Sequence, residues 1–92
     1  MFADYVATDK LVVNVDLVWN LNGNTLTLAD VADDYGLVVN EDLTINGPGR
    51  VVASGKYGIG TSTAFTGTLT INGGEYIGNT YLFGVVGGTL VT

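Results

Sequence analysis

Leu37–Gly49, LVVNEDLTINGPG, repeats an earlier stretch, Leu11–Gly23, LVVNVDLVWNLNG, with eight of thirteen positions identical at an offset of 26 residues. A further step of 26 reaches Thr63–Glu75, TAFTGTLTINGGE, where the Leu-x-Ile-Asn centre recurs. A repeat of this period marks an architecture in which each unit buries its apolar face only by stacking on its neighbours. In register, the units are Asp16–Glu41, Asp42–Gly67 and Thr68–Thr92, after a partial unit over residues 1–15. Residues 1–92 form a single domain on this reading.

The register sorts the residues into columns. Leu17, Leu43 and Leu69 share one, and Trp19, Ile45 and Ile71 share the column two residues on. Positions two apart in a strand face the same side, so these columns predict one wall of a core. Asn20, Asn46 and Asn72 share the next column, where stacked amides hydrogen-bond along a ladder. Turn formers follow at Asn22-Gly23-Asn24, Gly47-Pro48-Gly49 and Gly73-Gly74. A second wall reads Thr25–Leu28, Val51–Ala53 and Tyr76-Ile77. A third reads Val12-Val13, Val38-Val39, Ala64-Phe65 and Leu90-Val91. Tyr5, Val31, Tyr57 and Phe83 fall in one column and suggest an aromatic stack.

Apolar positions at helical spacing are absent, and β-branched residues and Gly are frequent. Leu28–Tyr35, LADVADDY, reads either as a short helical turn or as an acidic loop. The fold class is therefore all-β: a short parallel β-solenoid of about three and a half 26-residue rungs. The alternative is a small β-sandwich, since strands every 8–12 residues also fit that fold.

Charge narrows the function classes. The net charge is −6, and Lys10, Arg50 and Lys56 are the three basic residues. Phosphate backbones are bound by Lys/Arg patches, so no nucleic-acid partner is expected. Met1–Lys10 lacks the basic and apolar regions of a secretory signal, and no apolar run reaches the ~20 residues that span a bilayer, so no membrane partner is expected either. There is no Cys and no His, so no disulfide, no thiolate metal site and no imidazole base. From Tyr57 to Thr92 the one charge is Glu75, an unusually bare surface, which predicts that another chain covers part of this half.

Gly67–Tyr76, GTLTINGGEY, and Asp42–Gly47, DLTING, resemble the coils of right-handed parallel β-helices. This is the pectate-lyase-like architecture, found also in bacterial adhesins, phage tailspikes and other virion appendages. The resemblance spans roughly residues 11–92 and implies architecture; no functional residue is carried over by it. The sugar-cleaving members use Asp, Lys or Arg sets in a long groove, and such a set is missing here.

Candidate chemistry is sparse. Asp30, Asp33, Asp34, Glu41 and Asp42 are the densest acidic group. A Ca²⁺ site would need six to eight oxygens, but neither EF-hand spacing nor a Gly-Gly-x-Gly-x-Asp repeat is present, so a solvated loop is the expectation and no metal or other cofactor is predicted. Asp16 and Asp42 share a column as a general acid–base pair would require, yet the next position is Thr68, and no catalytic residue is assigned. Trp19 belongs with the core column. Tyr76 and Tyr81 are the aromatic residues expected to face solvent, and with Asp33 and Asp34 they form the candidate binding surface.

The function expected is that of a non-enzymatic structural subunit of a virus particle, phage-like, such as a capsid decoration or cement protein or a short head or tail appendage. It would be made in the host cytoplasm and sit on the virion surface. Its partners would be itself and a major capsid or other virion protein. Phage β-helix proteins often associate as trimers, so the resemblance implies a homotrimer. Phe83, Val85, Val86, Leu90 and Val91, in an end segment without charge or Pro, are the candidate interface, because no later residue protects that edge. The alternative is a carbohydrate-binding adhesin or tailspike fragment, with a glycan as ligand.

Overall fold

The computed structural model describes residues 3–79, 81–85 and 87–92. The chain runs through strands short enough to form the sides of a triangle, and each side pairs with the same side one rung earlier. Sheet A contains β1 (Tyr5–Val6), β4 (Thr25–Leu28), β7 (Arg50–Ala53) and β10 (Glu75–Ile77). Sheet B contains β2 (Leu11–Val13), β5 (Leu37–Val39), β8 (Tyr57–Thr61) and β11 (Tyr81–Val85). Sheet C contains β3 (Leu17–Asn20), β6 (Leu43–Asn46), β9 (Thr68–Asn72) and β12 (Thr89–Val91). Every pairing between these strands is parallel, which excludes the antiparallel sandwich. The fold is a parallel β-solenoid of about three turns, with rungs about 25 residues apart. Among the described residues there is no helix, hence none long and apolar enough to cross a membrane. Leu28 closes β4, and Ala29–Gly36 is a turn-rich loop.

Alternation builds the core. Leu43 and Ile45 are fully buried while Thr44 between them faces outward, half-buried. Leu37 and Val39 do the same around Val38, and Leu69 and Ile71 around Thr70. Leu21, Leu28, Val51 and Ile59 complete the buried set contributed by the other sides and corners. Sheet C carries the predicted columns without a slip: Leu17, Leu43 and Leu69 are in register, as are Trp19, Ile45 and Ile71. Asn46 Nδ2 donates to Asn20 Oδ1, and Asn72 Nδ2 to Asn46 Oδ1, both at 2.9 Å. Asn40 and Asn14 form a second such pair at 3.0 Å.

The third wall departs from expectation. Sheet B's third rung is β8, not Ala64-Phe65, and Leu90-Val91 joins sheet C beside Leu69-Thr70. Corner lengths explain the slip. Eight residues, 29–36, connect β4 to β5, whereas three, 54–56, connect β7 to β8. Six residues, 62–67, then connect β8 to β9 where three connect β5 to β6, so the 26-residue offset is restored in sheet C. Phe65 sits in that longer corner and turns its ring into the core. In the last rung β12 begins at Thr89, soon after β11 ends at Val85, so Thr89 pairs with Thr68 at an offset of 21.

The corners between sheets C and A are tight. Gly73 and Gly74 both adopt positive φ, and a Cβ on Gly47, one rung earlier, would stand 2.6 Å from Gly74 N. Only a glycine corner lets successive turns approach this closely.

Candidate functional site

Two regions of the solenoid present side chains in an arrangement that ordinary core packing does not require. One is an aromatic ladder on sheet B; the other is the pair of end rungs.

The ladder arises from in-register parallel pairing, which stacks like residues on one another. Tyr81 pairs with Tyr57, and their rings stack with centroids 5.1 Å apart and planes 13° from parallel. Tyr35, at the foot of β5, meets Tyr57 edge-on at 5.2 Å. Lys56 Nζ lies 5.4 Å from the centroids of both Tyr57 and Tyr81, a cation–π geometry. The other two cations are committed to carboxylates: Lys10 Nζ to Asp34 Oδ2 at 2.9 Å and Arg50 Nε to Glu75 Oε1 at 3.2 Å. Among the described residues no carboxylate pairs with Lys56. A surface that combines exposed ring with ammonium suits a ligand carrying C–H faces and hydroxyl or anionic groups.

This ladder replaces the aromatic column expected from the fixed 26-residue step. Tyr5 pairs with Leu26 and Phe83 with Ile59, while Val31 lies in the loop before β5. A local signal does mark the true column: Tyr35-Gly36-Leu37, Tyr57-Gly58-Ile59 and Tyr81-Leu82-Phe83 share the pattern Tyr-x-apolar leading into β5, β8 and β11.

Tyr81 is exposed, as the sequence suggested, and stands at the open end of the ladder. Tyr76 is half-buried and not exposed. Its ring packs on the core and against Phe83, centroids 5.7 Å apart, and its hydroxyl is buried without a hydrogen-bond partner. Burial pushes that phenol's pKa above its ordinary value. The cause is register: Tyr76 follows Leu26 and Val51 in an inward column.

The acidic residues are divided among separate tasks. Asp33 occupies the left-handed region, φ 58°, at the loop tip. Asp34 lies below the usual carboxylate pKa, chiefly because the Lys10 side chain donates to it, helped by the Tyr35 backbone N–H. Asp16 Oδ1 accepts the Asp42 N–H at 3.2 Å, and Asp42 Oδ1 accepts the Thr68 N–H at 2.8 Å. These two carboxylates therefore knit one rung to the next. Among the described residues no group of three or more acidic, His or Cys side chains is arranged to hold a metal ion.

At the C-terminal end, Leu90 and Val91 are exposed, with relative exposures of 37% and 46%. Phe83 and Val85, grouped with them in the sequence, are half-buried and pack against the core. Val86 lies outside the described residues. At the N-terminal end Tyr5, Val6, Val12, Val15, Leu17 and Val18 are all exposed, which the sequence pattern did not foreshadow. Trp19, though it keeps its core column, is only half-buried, because among the described residues no strand lies on the other side of β3 in sheet C. With Tyr5, Leu11, Val18 and Leu26 it lines an open concavity of about 520 Å³ at this end.

Comparison with protein-family models, with curated proteins and with solved structures finds no match to this chain.

Proposed function

We propose that the protein is a non-enzymatic structural subunit of a virus-type particle, a decoration, cement or short appendage protein that works as part of an assembly. The observation that carries this reading is the state of the two end rungs. A solenoid closes its core sideways but not along its axis. Here both ends present exposed aliphatic side chains on edge strands that, among the described residues, have no neighbouring strand on their outer side. Edges of this kind are normally blunted by Lys, Pro, bulges or a covering element, and when left bare they pair with another chain.

The likeness of GTLTINGGEY and DLTING to pectate-lyase-like and tailspike coils supports placing that assembly on a virion surface. Itself and a capsid or other virion protein are the partners this reading names, with a homotrimer as the symmetry implied by the likeness. Quantitative mass spectrometry of purified particles tests it: the expected result is the chain in fixed stoichiometry to the major capsid protein. Its presence solely in the soluble fraction overturns the virion reading. Sedimentation of the isolated protein is expected to show association, and a monomer at every concentration overturns the structural reading.

A second reading is favoured by one observation. The stacked Tyr57 and Tyr81 rings with Lys56 beside them form a small exposed aromatic and cationic surface of the kind that binds a saccharide. A glycan array addresses it, with loss of signal in Tyr81→Ala and Lys56→Ala as the expected result.

A further inference from the structure

We infer that the N-terminal end face of the solenoid docks head to tail on the C-terminal end face of a second copy of this chain. The inference rests on the reading of the protein as a self-associating structural subunit and puts head-to-tail stacking in place of a closed homotrimer.

The columns supply the first argument. Leu17, Leu43, Leu69 and Leu90 form one inward column in sheet C. Leu11, Leu37, Ile59 and Phe83 form another in sheet B, and Tyr5, Leu26, Val51 and Tyr76 a third in sheet A. Setting the first rung of one copy on the last rung of another continues all three, with Leu17 on Leu90, Leu11 on Phe83 and Tyr5 on Tyr76. The open concavity lined by Tyr5, Leu11 and Trp19 then faces the half-buried aromatic rings of Tyr76 and Phe83 and the exposed Leu90.

The outward columns supply the second. In sheet C the outward position reads Val18, Thr44, Thr70, Val91 from end to end. The two inner rungs carry Thr; the two end rungs carry Val, exposed to 63% and 46%. Sheet A reads Val6, Thr27, Val52, Ile77, again aliphatic at both ends, with exposures of 65% and 42%. Head-to-tail stacking places Val18 against Val91 and Val6 against Ile77 as in-register aliphatic pairs.

Area supplies the third. Four rungs at a spacing of about 4.8 Å form the short dimension of a molecule measuring 32 × 26 × 20 Å, so the end faces are its broad faces. An ellipse of 32 × 26 Å has an area on the order of 650 Å², so two such faces bury about 1,300 Å², enough for a specific interface.

Charge sets a signature. Asp4 precedes Tyr5 as Glu75 precedes Tyr76, so docking brings these two carboxylates into one column, above Arg50. Asp9 falls in the column of Tyr81, whose ring carries the Lys56 ammonium. Each copy carries a net charge of −6, and screening of the repulsion between copies makes the contact tighten as salt is added. The interface joins two different faces, so with the solenoid axes aligned it does not close on itself and leads to filaments.

The test is sedimentation velocity on four samples: wild type, Val18→Asp, Val91→Asp and an equimolar mixture of the two variants. Both positions face outward and are exposed, so each variant is expected to keep its far-UV circular dichroism and melting midpoint. Val6→Asp and Ile77→Asp provide the same design on sheet A should either of the first pair unfold. Wild type is expected to give a series of species that lengthens with concentration and with salt. Each variant alone is expected to stay monomeric. The mixture is expected to stop at a dimer, because the first variant keeps its C-terminal face and the second its N-terminal face. A wild type that associates while the mixture stays monomeric overturns the inference. So does a closed trimer indifferent to both substitutions, which leaves the structural reading standing; a wild-type monomer at every concentration overturns both.

Discussion

The ring of Tyr35 lies against the backbone of Gly60, in the space that a Cβ on Gly60 would occupy. Its hydroxyl continues across Gly84, the in-register neighbour of Gly60 on the next rung. Two glycines thus form a shallow track on the outside of sheet B in which a tyrosine from the preceding rung is laid.

Gly60→Ala is expected to lift Tyr35 off the sheet and cost about 1–3 kcal/mol, the usual range for forcing extra atoms into a packed site. The relationship is tested by a double-mutant cycle in thermal or urea melts. In a Tyr35→Ala background, Gly60→Ala is expected to cost little, because the clash has gone. Equal penalties in both backgrounds would show that Gly60 is needed for its backbone and not for the ring above it.

Leu43→Ala is expected to cost about 2–5 kcal/mol, since the side chain is fully buried in the middle of sheet C and its removal leaves a cavity. Thr44→Ala, outward-facing on the same strand, is expected to cost under about 0.5 kcal/mol. Denaturant melts of the two proteins rank them, and a larger loss for Thr44→Ala would contradict the inward and outward assignment.

How much of this was legible in the sequence follows from which segments keep their length. Sheet C could be read residue by residue, because the segments between its first three strands sum to the same offset and identical residues recur. Sheet B could not, because the loop 29–36 lengthens one corner and 62–67 lengthens another. A fixed step therefore put Phe83 under Tyr57, where Tyr81 belongs, and made a strand of Phe65, which is a corner residue. Tyr76, expected to face solvent, is half-buried for a different reason: its alternation with Glu75 and Ile77 points it inward. The exposed apolar first rung was hidden because exposure there depends on which strands lie beside it, which no local pattern encodes.

Tyr76→Phe removes a hydroxyl that is buried with no hydrogen-bond partner. Leaving such a group unsatisfied costs roughly 1–3 kcal/mol, so the substitution is expected to stabilise by about 1 kcal/mol and raise the melting midpoint by several degrees in a domain of this size. A fall in the midpoint would show that the hydroxyl has a partner in solution.

Asp34 gives the stability a small dependence on acid. Its folded pKa is depressed, first by the hydrogen bond from Lys10 and then by the Tyr35 N–H. The contribution is therefore present above the ordinary carboxylate value of about 3.9 and is lost as pH falls through the folded value. Both partners are solvated, which keeps the effect small. Wild type is expected to melt slightly above Asp34→Asn at neutral pH, and the two curves to converge in acid. Millimolar Ca²⁺ is expected to move neither; a rise in the wild type abolished in Asp33→Asn/Asp34→Asn would instead identify a cation site in the loop.

The Asn ladder makes a sharper distinction between positions of one residue type. Asn46 donates to Asn20 and accepts from Asn72, so Asn46→Ala breaks two amide bonds. Asn72→Ala breaks the one bond to Asn46. The neighbours left behind, Asn20 and Asn72, are exposed, so water takes over and no large desolvation cost remains. Each bond is then worth about 0.5–1.5 kcal/mol, and the loss at Asn46 is expected to be about twice that at Asn72. Asn46→Asp separates donor from acceptor, because the carboxylate still accepts from Asn72 but confronts Asn20 Oδ1 with a second acceptor. At neutral pH it is expected to be no more stable than Asn46→Ala despite its closer shape. Urea melts of the three variants measure the series. Equal losses at Asn46 and Asn72, or an Asn46→Asp protein as stable as wild type, would show that the column is aligned by its strands and draws nothing from its amides.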